Sequence, residues 1–150
     1  MKTKILMVCL GNICRSPLAE GILASKLDPD LYQINSAGTS NYHIGEKPDM
    51  RSIQTARNHG IDIGNQRAAQ FTVSDFDLYD IIYAMDNSNY QNIIKLSRHS
   101  SDRKKVKLIL NELHPNENLD VPDPYYGGDQ GFENVFEMLD KACDQLIQEL

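Results

Sequence analysis

The sequence has little cysteine, and its three cysteines, Cys9, Cys14 and Cys143, are spread over 150 residues. An odd, low count without a secretory signal favours reduced thiols over a disulfide framework. Structural zinc sites normally use two spaced pairs of Cys or His ligands, and Cys9 and Cys14 have no matching second pair. We therefore expect neither a metal nor another cofactor.

Positive charge and long apolar runs are also scarce. The net charge of −6 argues against nucleic acid or an anionic membrane as the main partner. No apolar run approaches the length that spans a bilayer, and the run at residues 5–8 is too short for a signal peptide. With 41% hydrophobic and 24% charged residues, the composition is typical of a globular protein, expected in the cytoplasm as one domain over residues 1–150.

Apolar runs alternate with segments of helical periodicity. The pattern predicts strands at 4–8, 32–36, 79–84 and 106–110, and helices at 16–27, 49–59, 87–96 and 131–150. This alternation predicts an α/β protein: a single-domain, three-layer α/β/α fold with a four-stranded parallel sheet, flavodoxin-like or Rossmann-like. In such sheets ligands bind beyond the carboxyl ends of the strands, so the segment after the first strand is the candidate site.

That segment, residues 9–17, reads Cys-Leu-Gly-Asn-Ile-Cys-Arg-Ser-Pro. Gly11 permits unusual backbone angles and Asn12 tolerates left-handed geometry, so a tight loop here can turn successive N–H groups inward as an anion nest. Ser16 is a favourable N-cap and Pro17 suits the first helical position. The sequence therefore predicts a phosphate-binding loop that leads into a helix N-terminus.

Cys9 and Arg15 stand at the two ends of this loop. A thiol near a helix N-terminus and an arginine loses its proton easily and becomes a nucleophile. The planar Arg15 fork matches two phosphate oxygens at once, and Ser16 could hydrogen-bond the thiolate. The pattern favours phosphoryl transfer through a cysteine, whereas the G-x-x-x-x-G-K-[ST] signature of nucleotide hydrolases is absent.

The segment from Val8 to Pro17 resembles the signature of the low-molecular-weight protein-tyrosine phosphatases, and the resemblance covers nearly the whole chain. Residues 36–40, 84–89 and 121–127 resemble three further segments of that family. The resemblance implies a phosphoric monoester hydrolase that acts on phosphotyrosine and aryl phosphates through a cysteinyl-phosphate intermediate. Its partners would be phosphotyrosine-containing proteins, a tyrosine kinase being one candidate, and its product would be inorganic phosphate.

A phosphatase of this kind needs a general acid for the leaving phenolate. Asp123 lies between Pro122 and Pro124, which stiffen its loop. From the residues alone Asp120 is an equal candidate. The resemblance selects Asp123, first as acid and then as the base that activates water.

The resemblance also assigns supporting roles. Substrate binding falls to Leu10, Gly11, Asn12, Ile13, Cys14, Ser16, Tyr42, Tyr125 and Tyr126, of which the tyrosines would form aromatic walls. Asn12 and Ser36 would hold the loop in shape through hydrogen bonds. Gln66 stands where the family often has a histidine, so it would take over that supporting position without a charge.

Three alternatives remain open at this point. An arsenate reductase of the same fold would need a relay of further cysteines, and only Cys14 and Cys143 are present. A phosphotyrosine-binding module without turnover would not need the acid. Separately, Cys14 either forms a reversible disulfide with Cys9 under peroxide or is a small apolar filler behind the loop.

Overall fold

The computed structural model describes residues 1–125 and 128–150. The strands are β1 (Thr3–Cys9), β2 (Tyr32–Gly38), β3 (Ile81–Ala84) and β4 (Val106–Leu108). The helices are α1 (Arg15–Lys26), α2 (Met50–Asn58), α3 (Asp75–Leu78), α4 (Asn87–Lys95), α5 (Ser100–Lys104) and α6 (Asp129–Ile147). None of the helices within the described ranges combines the length and the apolar character needed to cross a bilayer.

The four strands form one parallel sheet in the order β2-β1-β3-β4. Strand β1 is central, and its residues alternate between two buried clusters. Ile5, Met7 and Cys9 pack with α1, α2 and α6, whereas Leu6 and Val8 pack with α3 and α4 on the other face. A central parallel strand covered on both faces is apolar along its whole length. The predicted three-layer α/β/α fold is therefore confirmed.

The strand order places the loop after β1 at the switch point of the sheet. The chain leaves β1, passes through α1 and returns as β2 on one side, and it later crosses to β3 on the other side of β1. The connections diverge there, which opens a crevice at the carboxyl end of the strand. Leu10, Gly11, Ile13 and Cys14 line this crevice, directly before the N-terminus of α1.

The predicted and observed elements differ most around β4. The prediction continued the strand to residue 110, but Ile109–Glu112 forms a short 3-10 helix. Val106 and Leu108 belong to the α4 side of the sheet, while Ile109 and Leu110 are buried on the α6 side. Because successive residues of a strand point to opposite faces, the chain must leave the strand conformation to bury the consecutive residues Ile109 and Leu110 on the same side. The helices α3 and α5, four and five residues long, were not predicted because so short a segment carries no periodicity.

Candidate active site

The loop between β1 and α1 is held in shape by Asn12. Its φ of +58° is the left-handed conformation that the sequence predicts there. Its side chain is 2% exposed, donates from Nδ2 to Ser16 Oγ at 2.7 Å and accepts at Oδ1 from the amide of Ala69 at 3.0 Å. These bonds fix the turn from behind, on the side away from solvent.

The sulfur of Cys9 lies at the inner end of the loop. Cys9 Sγ is 3.0 Å from Ser16 Oγ, and the amide of Asn12 donates to the sulfur at 3.3 Å. Ser16 Oγ already accepts from Asn12 Nδ2, so its one proton can go to the sulfur at 3.0 Å or to the carbonyl of Ala37 at 3.5 Å, and the sulfur is the nearer acceptor. The predicted contact between Ser16 and Cys9 is present in this geometry.

Ser16 does not cap the helix as expected. Helix α1 begins at Arg15 with Cys14 in the N-cap position, and no side chain caps it. Ser16 and Asn12, both expected to bind substrate, are buried behind the loop rather than among the residues that line its pocket. The helix begins at Arg15, two residues before Pro17, so Ser16 lies inside the first turn and its hydroxyl lies 3.0 Å from Cys9 Sγ instead.

The guanidinium of Arg15 is buried and anchored from one side. Nη1 donates to Asp86 Oδ2 at 2.6 Å and to the carbonyl of Val121 at 2.9 Å. Burial alone would lower the pKa of Arg15, but the charge on Cys9 and the hydrogen bond to Asp86 outweigh it and raise that pKa. Arg15 therefore stays charged, with Nη2 3.8 Å from Asp123 Oδ2.

Asp86 is a site residue to which the sequence analysis gave no role. It follows β3, and its Oδ1 accepts from the amide of Asn89 as the N-cap of α4. The same carboxylate orients Arg15 with its other oxygen. A signal did exist, since an aspartate directly after a central strand lies at the edge of the sheet where the site is expected.

The segment before α6 brings one of the two candidate acids to the pocket. Asp123 lines it, and its Oδ1 accepts from the amide of Tyr125 at 3.0 Å. Asp120 instead accepts from the amide of Asn87 at 2.8 Å and from Asn87 Nδ2 at 2.6 Å. Of the two carboxylates that the residues left open, only Asp123 is among the pocket-lining residues.

The pocket has a volume of about 250 Å³. Its lining consists of Cys9, Leu10, Gly11, Ile13, Cys14, Arg15, Tyr42, His43, Asp123 and Tyr125. The predicted entrance residue Leu10 and the predicted walls Tyr42 and Tyr125 all belong to this set, and each is exposed at the surface. Tyr126, the remaining predicted wall residue, lies outside the described residues. A narrow charged base beneath apolar walls suits a phosphate on an aromatic ring.

His43 is a second pocket residue to which the sequence analysis assigned no role. Its Nδ1 is 2.9 Å from Glu46 Oε2, and its ring lies against the loop. A Cβ on Gly11 would approach His43 Cδ2 to 3.0 Å, and the φ of Gly11 is outside the left-handed region. The absence of a Cβ on Gly11 thus lets the His43 ring pack closely against the loop, and Gly11 does not use the left-handed conformation.

The expected support from Ser36 takes a different form. Ser36 pairs with Met7 in the sheet, two residues before the loop, and its hydroxyl donates to Glu20 Oε1 at 2.6 Å rather than to the loop. Burial raises the pKa of Glu20, and the bond from Ser36 offsets part of that rise. Gln66 Nε2 donates to the carbonyl of Pro17 at 3.1 Å, so it supports the first turn of α1.

Cys14 lines the pocket as a thiol. Its burial, together with the nearby charges of Asp49, Cys9 and Asp123, raises its pKa to about 12. Cys143 is fully buried in α6, as its place on the apolar face predicts. Within the described residues, no three His, Cys, Asp or Glu side chains come together as a metal site.

Comparison with known proteins agrees with this geometry. The family model of the low molecular weight phosphotyrosine protein phosphatases matches residues 4–150. The chain belongs to this family. A low molecular weight phosphotyrosine protein phosphatase of Dictyostelium discoideum is 40% identical over 98% of this chain and 93% of its own length. The human protein of the same name is 36% identical over 96% of this chain and 93% of its own length.

Solved phosphatases of the family share the fold. A protein tyrosine phosphatase from Entamoeba histolytica superposes with a TM-score of 0.91 at 35% identity, over 99% of this chain and 96% of that chain. Vibrio vulnificus Wzb, solved with benzylphosphonate, gives a TM-score of 0.89 at 28% identity over the full length of both chains. The resemblance read from the loop sequence is therefore confirmed at the level of the low molecular weight phosphatase family.

Proposed function

We propose that this protein hydrolyses phosphotyrosine in proteins, with Cys9 as nucleophile, Arg15 as phosphate clamp and Asp123 as general acid and base. The observation that carries the proposal is that a sulfur, a guanidinium and a carboxyl line one pocket of about 250 Å³. Covalent phosphoryl transfer from an aryl ester uses one group of each kind.

In the first step Cys9 Sγ attacks phosphorus, an S–P bond forms and the P–O bond to the phenol breaks. Asp123 gives its proton to the departing phenol oxygen. Loop amides and Arg15 take up the charge on the equatorial oxygens. The anchoring of Nη1 by Asp86 and Val121 supports this role, because a clamp held on one side loses little entropy when it binds.

In the second step Asp123, now a carboxylate, takes a proton from water as the water oxygen attacks phosphorus. The S–P bond breaks, inorganic phosphate leaves and Cys9 returns to its starting state. Ser16 Oγ, 3.0 Å from the sulfur, stabilises Cys9 as the leaving group through its hydrogen bond.

The test combines two substitutions with two leaving groups. Cys9→Ser should abolish turnover of p-nitrophenyl phosphate while inorganic phosphate still binds, as measured by calorimetry. Asp123→Asn should lower kcat/KM for phenyl phosphate by roughly 10²-fold or more, but that for p-nitrophenyl phosphate much less, because only the poor leaving group needs a proton. Asp120→Asn is the matched control and should stay near wild type. Equal losses on both substrates would remove Asp123 from the acid role.

We also propose phosphotyrosine proteins in the cytoplasm as the substrates. Thiol-based hydrolysis requires reduced cysteine, which the cytoplasm maintains. Leu10, Tyr42 and Tyr125 offer apolar surface around an aromatic ring. An arsenate reductase is less well supported, because Cys143 is fully buried in α6 and Cys14 is held as a thiol. Thioredoxin-coupled arsenate turnover without aryl phosphatase activity would reverse this ranking.

A further inference from the structure

The first turn of α2 contacts the nucleophile loop. The amide of Asp49, the N-cap of α2, donates to the carbonyl of Ile13 at 2.8 Å. Ser52, fully buried, donates from its hydroxyl to the carbonyl of Cys14 at 3.2 Å. Both acceptors belong to the loop that carries Cys9. This turn is therefore tied to the phosphate-binding half of the site.

Arg51, in the same turn, contacts the segment that carries Asp123, here called the acid loop (residues 121–125). Its Nη2 donates to the carbonyl of Tyr125 at 3.0 Å. Its guanidinium carbon lies 4.6 Å from the centre of the Phe132 ring and 5.4 Å from that of Tyr125. Phe132 is fully buried in α6 and so provides a fixed surface under the guanidinium.

Asp49 also restricts the guanidinium. Its Oδ1 accepts from Arg51 Nε at 3.0 Å and its Oδ2 from Arg51 Nη2 at 3.1 Å, which is a two-point pairing. Burial alone would raise the pKa of Asp49, but the hydrogen bonds from Arg51 outweigh it and lower that pKa, so the pair is charged at neutral pH. A fork held at two points and stacked on a ring has little freedom to turn away from Tyr125.

Tyr125 is in turn joined to the proposed acid. The amide of Tyr125 donates to Asp123 Oδ1 at 3.0 Å, while its carbonyl accepts from Arg51. One residue thus connects the guanidinium with the carboxyl group. A displacement of Tyr125 would carry the Asp123 carboxyl away from the place where the phenol oxygen departs.

We propose that Arg51 is a positioning residue that holds Asp123 over the pocket. It joins the acid loop to the same helical turn that anchors the Cys9 loop, and so it sets the distance between nucleophile and acid. The inference rests on the proposed role of Asp123. Misplacing a catalytic group by about 1 Å can cost roughly 10²-fold in rate. Loss of Arg51 should therefore lower the rate strongly, even though Arg51 does not line the pocket.

The decisive experiment is a double-mutant cycle of Arg51→Gln, Asp123→Asn and the double variant, each assayed on phenyl phosphate and p-nitrophenyl phosphate. Arg51→Gln should lower kcat/KM for phenyl phosphate about tenfold, and that for p-nitrophenyl phosphate about twofold or less. In the Asp123→Asn background the same substitution should have almost no further effect, because the acid it positions is gone.

Arg57→Gln is the matched control, since Arg57 is an exposed arginine in the last turn of the same helix. Thermal melting checks that each variant is folded. If Arg51→Gln does not fold, Arg51→Lys tests the same point, because it keeps the charge but loses the two-point fork.

The outcomes separate the two proposals. Equal losses on both substrates, or a loss that persists in the Asp123→Asn background, would overturn the role of Arg51 and leave the proposed function intact. Asp123→Asn without leaving-group dependence would instead remove Asp123 from the acid role in the proposed function, and loss of turnover in Cys9→Ser tests that function separately.

Discussion

Cys14 and Cys9 share one loop but differ in their chemistry. The sulfur of Cys9 has a hydroxyl and an amide as neighbours, whereas burial, and after it the nearby negative charges, raises the pKa of Cys14 to about 12. A protonated thiol is a poor nucleophile. Cys14 therefore does not compete with Cys9 for the phosphoryl group, although both line the pocket.

The raised pKa of Cys14 predicts a slow, pH-dependent disulfide. Peroxide oxidises Cys9 to a sulfenic acid and is itself reduced to water. The Cys14 thiolate then attacks that sulfur, an S–S bond forms, and the S–O bond breaks to release hydroxide, which takes up a proton as water. Since the thiolate fraction of Cys14 rises about tenfold per pH unit below pH 12, we expect the share of Cys9–Cys14 cross-link over sulfinic acid to grow from pH 7 to pH 9. Mass spectrometry of peroxide-treated protein measures this share.

Cys14→Ser is the control for that experiment and should give only overoxidised Cys9. A cross-linked share that stays constant over this pH range would show that the protonation of Cys14 does not limit the reaction. The complete absence of a cross-link would leave Cys14 as a filler behind the loop.

Among the elements, the end of β2 is the closest support of the phosphate-binding loop. Gly38 pairs with Cys9 in the sheet, and the amide of the next residue, Thr39, donates to the carbonyl of Cys9 at 2.9 Å. A Cβ on Gly38 would lie 2.7 Å from the carbonyl oxygen of Leu10 and 3.1 Å from the amide nitrogen of Asn12. These atoms belong to the loop backbone, which cannot rotate away as a side chain can.

Gly38→Ala should therefore distort the loop and disable the site. We expect a loss of stability of roughly 1–3 kcal/mol, typical of overpacking, and a larger proportional loss of kcat/KM. Chemical denaturation and p-nitrophenyl phosphate turnover measure the two effects. Gly128→Ala is the control, because a Cβ there meets no atom of the described residues within 4 Å and its φ of −83° suits any residue. Wild-type activity in Gly38→Ala would mean that the strand end can move without the loop.

At the same scale, α2 links the two halves of the site. Its N-terminal turn reaches the Cys9 loop through Asp49 and Ser52, and the acid loop through Arg51. The sequence predicts this helix from its periodicity and from Gly60 after its end. In the structure Gly60 has a φ of +79°, the left-handed conformation typical of a residue that ends a helix. Periodicity shows that the helix has a buried face, but it does not show which loops its first turn will meet.

The net negative charge of the whole molecule repels the anionic substrate that the pocket has to bind. The net charge is −6, while the pocket must attract a phosphate dianion with Arg15 and the loop amides. Long-range repulsion is screened by salt, since the Debye length falls from about 30 Å at 0.01 M to about 10 Å at 0.1 M. Contacts inside the pocket are screened much less.

This imbalance predicts an ionic-strength effect that depends on the substrate. Between 0.01 and 0.1 M salt, kcat/KM for an acidic phosphotyrosine peptide should rise relative to that for a peptide with basic flanking residues, by roughly two- to threefold. Initial rates with the two peptides at several salt concentrations give the ratio of the two kcat/KM values directly. Weak competition by salt anions for the pocket lowers both values equally and therefore cancels in the ratio. A ratio that does not change with salt would show that only the local field of the pocket matters.

Much of this protein was determined by the sequence alone. The alternating apolar and helical segments predict the parallel sheet because a strand buried on both faces and an amphipathic helix each leave a local pattern. The residues from Cys9 to Pro17 identify the phosphate-binding loop because nucleophile, nest and clamp are contiguous in the chain. Asp123 was reached only through the family resemblance.

Tertiary structure alone decided which distant groups meet at that loop. Asp86, His43 and Arg51 are separated from Cys9 by 77, 34 and 42 positions, counted from their residue numbers. Only Asp86 has a local signal, its place after a central strand, and no local pattern links His43 or Arg51 to the loop. It also turned Ser36 toward Glu20 and tied Asp120 to Asn87, away from the pocket. The physical reason is that strand order and helix packing bring loops from different elements to one edge of the sheet, and the hydrogen bonds between them depend on distances that exist only in the folded chain.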